Sequence, residues 1–160
     1  MALRGRLLVL LIAAGAILGL WLLISHLSLS ALDEPGSVET YAATKAKRWM
    51  VGRSARGLLS PAPPEAAVSL ASGRMLFGGR CASCHGLDGR TPTEVGQWMY
   101  PRAPDVGSLA VQQWSDAELF WIIKHGIRLT GMPGFGHIHS DDQVWHLVRY
   151  VRSLGAQPKQ

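Results

Sequence analysis

The sequence has 160 residues, of which 48% are apolar and 17% charged, and its formal net charge at pH 7 is +5. This length corresponds to about one domain. Residues 7–32 carry no charged side chain. This one segment raises the apolar fraction of the whole chain, and the other residues are polar enough to be soluble on their own. The composition therefore excludes a multi-span membrane protein and a disordered chain, and two cysteines are too few for a disulfide-stapled miniprotein.

The first 27 residues predict a single transmembrane anchor. Their apolar stretch, at about 1.5 Å per helical residue, is long enough to cross the roughly 30 Å hydrocarbon core of a bilayer. Because Arg4 and Arg6 precede it and Asp33 and Glu34 follow it, the positive-inside rule predicts a cytoplasmic amino terminus and a periplasmic or extracellular location for the rest of the chain. A cleaved signal peptide has the same topology, but its apolar core usually covers only about 7–15 residues, so a retained anchor (1–27) in the plasma membrane is preferred.

Residues 28–65 predict a basic helical connector. Ser37 is a candidate N-cap for a helix from residue 38 to about residue 59, in which five basic residues face a single acid, Glu39. The apolar residues of this helix form a weak stripe: Val38, Tyr41, Ala42, Trp49 and Met50. Three interpretations stay open, namely a solvated spacer, a helix on anionic lipid headgroups, and a surface that docks on a partner protein.

Three prolines follow the connector helix, at positions 61, 63 and 64. They predict a semi-rigid linker and a domain boundary near residue 65. Residues 1–65 carry seven Lys or Arg against four acids, whereas residues 66–160 carry nine against seven. Since nucleic-acid binding needs a basic stripe on the folded domain, this distribution predicts lipid or protein partners near the membrane and no nucleic acid.

The motif that carries chemistry is Cys81-Ala82-Ser83-Cys84-His85, a C-x-x-C-H segment. This is the attachment signature of a c-type haem. On a helical turn, two cysteines three residues apart present their sulfurs on one side for thioethers to the two haem vinyl groups, and the histidine that follows can ligate the iron through Nε2. A covalent haem c also supplies the apolar core that about 90 residues would otherwise struggle to assemble.

Two other chemistries use a C-x-x-C pair. A thiol-disulfide site needs a thioredoxin-like arrangement of strands and helices, and no segment of this sequence alternates convincingly as a strand. A zinc site needs two further Cys or His ligands at suitable spacing, and the remaining histidines do not pair convincingly with this motif. The motif therefore predicts haem c.

A haem iron bound by His85 has a sixth coordination position to fill. Met132 is the preferred candidate because Gly131, Pro133 and Gly134 place it in a rigid loop between two helical segments. The simpler interpretation of Met132 is a gap-filling core residue. The rival ligands are His125, His137, His139, His146 and Met99.

Several further segments appear in a fixed order around the motif. They are Gly73, Phe77 and Cys81 four residues apart, Gly86-Leu87-Asp88-Gly89, Ala103-Pro104-Asp105, Gly131-Met132-Pro133, and a closing helix with Leu147 and Tyr150. With these features, residues 66–154 resemble the small class I c-type cytochromes of bacteria, in particular the single-haem modules of cbb-type oxidase cytochrome subunits. Residues 1–65 lie outside the resemblance, which covers about 90 residues.

The resemblance implies roles for individual residues. Cys81 and Cys84 would hold the haem, and His85 and Met132 would ligate its iron. The carbonyl of Pro104 would orient the imidazole of His85. Three side chains, Arg102, Trp98 and Tyr100, are candidates to bond the haem propionates, although they can equally pack in a loop or face solvent. Gly73 and Phe77 would meet Leu147 and Tyr150 where the first and last helices cross.

The sequence pattern predicts an all-α fold with three main helices in a haem domain of residues 66–160. The first runs from Val68 to Arg80. The second follows a capping box at Ser115–Glu118 and ends at Gly126, and the third follows a capping box at Ser140–Gln143 and reaches Gly155.

These features predict a membrane-tethered mono-haem cytochrome that carries single electrons in a bacterial respiratory chain. The chain would act as a shuttle between respiratory complexes or as a subunit of one, with redox proteins as partners. Since both axial positions are filled and no catalytic set of side chains lies beside the motif, no enzymatic activity is expected. The alternative is a haem subunit of an oxidoreductase, peroxidase-like or ligand-activating, whose sixth ligand is labile.

Overall fold

The structure is a computed structural model that describes residues 2–25, 28, 30, 32–59 and 66–156. Within these ranges every regular element is helical and no strand occurs, as predicted. The chain divides into two compact units, Met1–Asp33 and Glu34–Gln160. The α-helices are α1 (Ala2–Ser25), α2 (Ser37–Ser54), α3 (Ala66–Leu76), α4 (Ala82–His85), α5 (Glu94–Trp98), α6 (Leu109–Gln112), α7 (Asp116–His125) and α8 (Asp141–Gly155), and a π-helical turn (Phe77–Cys81) joins α3 to α4.

Helix α1 makes up nearly all of the first unit. From Arg4 to Ser25 it is long and apolar enough to cross a membrane. Its large apolar side chains from Leu7 to Ile24 are exposed within the unit, so they have no protein core to enter. This helix fits a membrane anchor, and a signal sequence has the same properties.

Helix α2 ends five residues earlier than the sequence predicts. It stops at Ser54 because the chain then turns through Ala55, and Gly57 adopts a positive φ of 82°. The amide of Leu58 donates to the carbonyl of Ala55 at 3.2 Å, which closes the turn. The N-cap is Gly36 rather than Ser37, and no side chain caps this end.

The face of α2 that packs is not the predicted apolar stripe. Val51 and Ala55 are buried, whereas Trp49 and Met50 remain more than half exposed. Gly52 lies against α7, where an added Cβ would sit 3.1 Å from Oε1 of Glu118. Helix α7 accepts a face of α2 whose residues, such as Gly52, are small enough for close approach.

Polar contacts extend the docking of α2 along the second unit. The guanidinium of Arg48 lies 4.3 Å above the ring of Trp114 and donates to the carbonyl of Ala110 at 3.3 Å. The hydroxyl of Tyr100 donates to Oε1 of Glu39 at 2.6 Å. The predicted boundary near residue 65 therefore falls inside one compact unit. The linker prolines at 61, 63 and 64 lie outside the described residues.

The second unit is organised by the crossing of α3 over α8. At Gly73 an added Cβ would lie 2.8 Å from Cβ of Tyr150 and would also collide with the carbonyl oxygen of His146. The rings of Phe77 and Tyr150 pack with centroids 5.2 Å apart, and Leu147 is fully buried. Because Gly73 has no side chain, the two helices approach backbone to backbone at the crossing that the resemblance implies.

Helices α7 and α8 complete the core, and both predicted capping boxes are present. The hydroxyl of Ser115 accepts from the amide of Glu118 and that of Ser140 from the amide of Gln143, both at 3.3 Å. Each box supplies acceptors for backbone amides at the start of a helix, which have no acceptor within the helix. The core they build contains Phe77, Val106, Trp114, Leu119, Phe120, Ile122, Ile123, Val144, Trp145, Leu147, Val148, Tyr150, Val151 and Leu154.

We expect Gly73→Ala to destabilise the protein by about 1–3 kcal/mol, the usual cost of overpacking, because the new methyl group would force α3 away from α8. Guanidinium unfolding of the full chain in detergent, followed by circular dichroism, measures the change. The matched control is Gly78→Ala, at a position where an added Cβ meets nothing within 4 Å. Equal loss of stability in the two variants would contradict the close crossing.

Candidate functional site

The C-x-x-C-H segment begins at the end of the π-helical turn. This turn replaces the carboxyl end of the predicted Val68–Arg80 helix, and the amide of Ala82 donates to the carbonyl of Phe77. Phe77, the first residue of the turn, lies in the core, where it is 2% exposed. Cys81 and Cys84 are half-buried and form no disulfide. The motif is thus anchored to the α3–α8 crossing through Phe77.

The imidazole of His85 is held by the predicted backbone carbonyl. Nδ1 of His85 lies 3.0 Å from the carbonyl oxygen of Pro104. A carbonyl can only accept, so Nδ1 carries the proton and the Nε2 lone pair is available to a metal. Burial lowers the pKa of His85 and outweighs the Pro104 hydrogen bond, which acts to raise it. The ring is therefore neutral at pH 7, which is the form that ligates a metal.

Backbone contacts fix the loop that brings Pro104 to His85. The amide of Thr93 donates to the carbonyl of Cys84 at 3.0 Å, and the amide of Ala103 donates to the carbonyl of Gly96 at 2.8 Å. Gly96 is required here because a Cβ would collide with the carbonyl of Cys84. Helix α5 thus packs directly on α4, and the Pro104 carbonyl is presented from a rigid segment.

The Gly86–Gly89 segment ends the motif in a tight turn. Gly86 and Gly89 have positive φ values of 76° and 66°. One carboxylate oxygen of Asp88 accepts from the amides of Arg90 and Thr91, and the other accepts from the Thr91 hydroxyl, all at 2.9 Å. These bonds lower the pKa of Asp88. The carboxylate therefore fixes the turn by which the chain leaves His85.

Met132 lies in a loop that is tied to the end of α7. Its side chain is partly buried against the core. Its amide donates to the Thr130 hydroxyl at 3.2 Å, and its carbonyl accepts from the amide of Ile127 at 3.2 Å. The following backbone also bonds to α7, with the amide of Gly136 donating to the carbonyl of Lys124 at 2.8 Å. Hydrogen bonds therefore fix the backbone of this loop on both sides of Met132.

A second methionine reaches the same loop. The side chain of Met99 lies against Gly131, where an added Cβ would be 2.9 Å from Cγ of Met99 and would collide with its sulfur. The sequence predicts Met99 only as a rival ligand. The structure places its thioether against the residue that precedes Met132.

Two of the three candidates for propionate contacts hold carboxylates of the connector. Nη2 of Arg102 pairs with Oε1 of Glu34 at 3.2 Å, and Tyr100 bonds Glu39. Trp98 is 69% exposed. The sequence gives no signal for these pairs, because 68 and 61 residues separate their members.

The remaining histidines occupy different environments. His125 and His137 are exposed. Nδ1 of His146 lies 2.8 Å from the hydroxyl of the fully buried Ser69, so its ring serves the α3–α8 contact. Nε2 of His139 is buried and has no hydrogen-bond partner in the part of the chain that the structure describes.

The residues of the motif fit a c-type haem better than they fit the two competing chemistries. Burial, and secondarily the neighbouring Cys84, raises the pKa of Cys81 to about 11, whereas thiols that catalyse disulfide exchange have lowered pKa values. Among the described residues no group of three or more His, Cys, Asp or Glu side chains is placed to hold a metal ion. Two unpaired cysteines and a neutral imidazole with Nε2 available are the groups that covalent attachment of a haem and its proximal ligation require.

Comparisons with known proteins agree with this site. The family model described as "Cytochrome C oxidase, cbb3-type, subunit III" matches residues 68–151. Among solved structures, a chain of the Kuenenia stuttgartiensis reducing HAO-like protein complex Kustc0457/Kustc0458 is similar, with a TM-score of 0.53 and 25% sequence identity. The match covers 60% of this chain and 47% of that chain, so this chain corresponds to less than half of the length of its structural relative.

We expect the Cys81 thiol to react slowly in the haem-free folded chain. A pKa of about 11 instead of 9.0 leaves roughly 100-fold less thiolate at pH 8. The measurement is the pH dependence of iodoacetamide alkylation in Cys84→Ser, which retains the burial of Cys81. The control is the same variant unfolded in guanidinium, and coincident pH profiles in the two states would contradict the raised pKa.

Proposed function

Because the chain belongs to the family of cbb3-type cytochrome c oxidase subunit III, a family of c-type cytochromes that carry haem c, we propose that it is a one-electron carrier anchored in a bacterial plasma membrane. The observation that carries this proposal is the hydrogen bond from Nδ1 of His85 to the Pro104 carbonyl, since it leaves Nε2 as the only ring atom available to iron. When bound, the haem supplies the Fe(III)/Fe(II) couple.

The motif residues hold the haem in this proposal. Cys81 and Cys84 form the two thioethers, and His85 is the proximal ligand. The Pro104 carbonyl fixes the orientation of the His85 ring and increases its basicity, which is the usual role of a carbonyl behind a metal-bound histidine. This arrangement retains the haem covalently, so the redox group is not lost from a small domain.

Met132 is the proposed distal ligand. Support comes from its partly buried side chain and from the hydrogen bonds that tie its loop to α7. A neutral thioether favours Fe(II) and raises the reduction potential relative to a second imidazole. With His85 and Met132 both bound, electrons are transferred without a vacant site for substrate.

The proposed topology follows the charge pattern of the sequence. Arg4 and Arg6 keep the amino terminus in the cytoplasm, α1 remains as the anchor, and the haem domain lies on the periplasmic or extracellular side. This location agrees with a c-type cytochrome domain, and α1 has the required length from Arg4 to Ser25.

The partners of this electron carrier are proposed to be redox proteins of a respiratory chain. The structural relative is part of a protein complex, which favours a subunit of a complex over a free shuttle. Purification in mild detergent distinguishes the two roles, because a subunit leaves the membrane with its complex and a shuttle leaves alone.

Rapid binding of carbon monoxide to the reduced protein would instead favour a labile Met132 and a ligand-activating haem.

We expect Met132→Ala to abolish the weak long-wavelength charge-transfer band of the ferric His/Met haem. The reduction potential should fall by on the order of 0.1 V, within the roughly 0.8 V range that axial ligands span. Absorption spectroscopy and redox titration measure these changes. The matched control is Met99→Ala, which should keep the band. If Met99→Ala loses the band and Met132→Ala keeps it, Met99 is the ligand.

We also expect Arg102→Gln to lower the reduction potential, because a guanidinium near the haem propionates disfavours the extra positive charge of Fe(III). The control is Glu34→Gln, which removes the other half of the ion pair but leaves the guanidinium in place. A redox titration of both variants decides the role of Arg102. Unchanged potential in Arg102→Gln would show that Arg102 serves only the contact with the connector.

A further inference from the structure

Most of α2 is exposed, and one row of its exposed residues has an unusual composition. Five of its residues recur three or four positions apart, namely Val38, Tyr41, Lys45, Trp49 and Arg53, so they lie along one side of the helix. We call this set the outward stripe. Val38 is 71% exposed, Tyr41 67% and Trp49 62%. These large apolar surfaces contribute nothing to the core.

Aromatic rings and cations alternate along the outward stripe. Nζ of Lys45 lies 5.5 Å from the centroid of the Tyr41 ring, and the guanidinium of Arg53 lies 5.6 Å from that of Trp49. Neither cation forms an ion pair within the described residues. The positive charges are therefore held beside the rings and remain accessible to an anionic surface.

The outward stripe carries no negative charge because the acid of α2 lies outside it. The only acid of the helix, Glu39, is half-buried and accepts from the hydroxyl of Tyr100. Val51 and the Arg48–Trp114 contact hold other positions of α2 against the rest of the second unit. These contacts fix the rotation of α2 and leave Lys45, Arg53 and the rings of Tyr41 and Trp49 exposed.

We propose that the outward stripe binds the surface of a bilayer that contains anionic lipids. Tyr and Trp rings favour the headgroup region, and Lys and Arg pair with anionic headgroups there. Only residues 26–36 separate the stripe's helix from α1, so the same membrane that holds the anchor is within reach of the chain. One anchor combined with a basic surface is a common arrangement for holding a protein at a membrane.

A lipid surface suits the outward stripe better than a protein partner does. The stripe runs along α2 and has no carboxylate, and it combines cations that anionic headgroups attract with aromatic rings that favour headgroup level. A protein interface is instead usually depleted of lysine at its centre, where Lys45 lies. The consequence is a defined orientation of the second unit, which restricts electron transfer to partners at the membrane surface.

The test uses the full haem-bearing chain in nanodiscs, with a nitroxide on Ala42→Cys, an exposed position beside the stripe. Cys81 and Cys84 do not react with the label because thioethers occupy them. Collision rates with oxygen and with a water-soluble nickel chelate report the depth of the label. We expect headgroup depth in discs of phosphatidylcholine with about one third phosphatidylglycerol, and an aqueous label in discs of phosphatidylcholine alone.

Charge reversal supplies the matched controls. Lys45→Glu with Arg53→Glu should make the label aqueous. Arg74→Glu with Arg128→Glu is an equal change of charge at exposed cations outside the stripe, and it should leave the label at headgroup depth. A second label on Leu109→Cys, which is 73% exposed at the start of α6, should stay aqueous in both kinds of disc. The haem spectrum confirms that each variant is folded.

Three results would overturn the proposal. A label at position 42 that stays aqueous in both discs shows that the stripe does not bind lipid. If the label is aqueous in both kinds of disc but immobilised in native membranes, the stripe binds a protein partner instead of lipid. Because the inference rests on the proposed anchor, a chain that leaves the discs refutes both, whereas a chain retained with an aqueous label refutes this inference alone.

Discussion

The backbone-to-backbone crossing of α3 and α8 at Gly73 is the contact on which the rest of the site depends. It places Phe77 in the core beside Tyr150, and the π-helical turn that begins at Phe77 delivers Cys81 to the surface of that core. The position of His85 follows from the same turn. A side chain at Gly73 would therefore disturb the haem site through packing rather than through chemistry.

Around this crossing, hydrogen bonds fix the segment behind His85 and the loop that carries the proposed ligand Met132. The Pro104 carbonyl fixes the proximal imidazole, and backbone bonds to α7 fix the Met132 loop. The Pro104 segment and the Met132 loop lack regular secondary structure, so they depend on the helices beside them for rigidity. A redox site benefits from such rigidity, because small changes in ligand geometry between Fe(III) and Fe(II) keep electron transfer fast.

The connector links the membrane-proximal part of the chain to the edge of this site. Glu34 and Glu39 hold Arg102 and Tyr100, in a loop that also carries Met99 to Gly131. Helix α2 thus has two different sides. Its inner side bonds Tyr100 and packs on α7, and its outer side presents two cations and two aromatic rings.

The sequence by itself determined the features that depend on neighbours along the chain. The C-x-x-C-H motif, both capping boxes and the helical periodicity of α7 and α8 are set by residues three or four apart, and the α3–α8 contact followed from a family pattern. Tertiary structure alone decided the rotation of α2, the π-helical turn, and the pairing of Arg102 with Glu34. These features depend on which surfaces of distant segments pack together. The sequence of a helix with apolar residues on several sides does not specify which side packs. Val51, rather than Trp49, became buried because α7 offers a close contact beside Gly52.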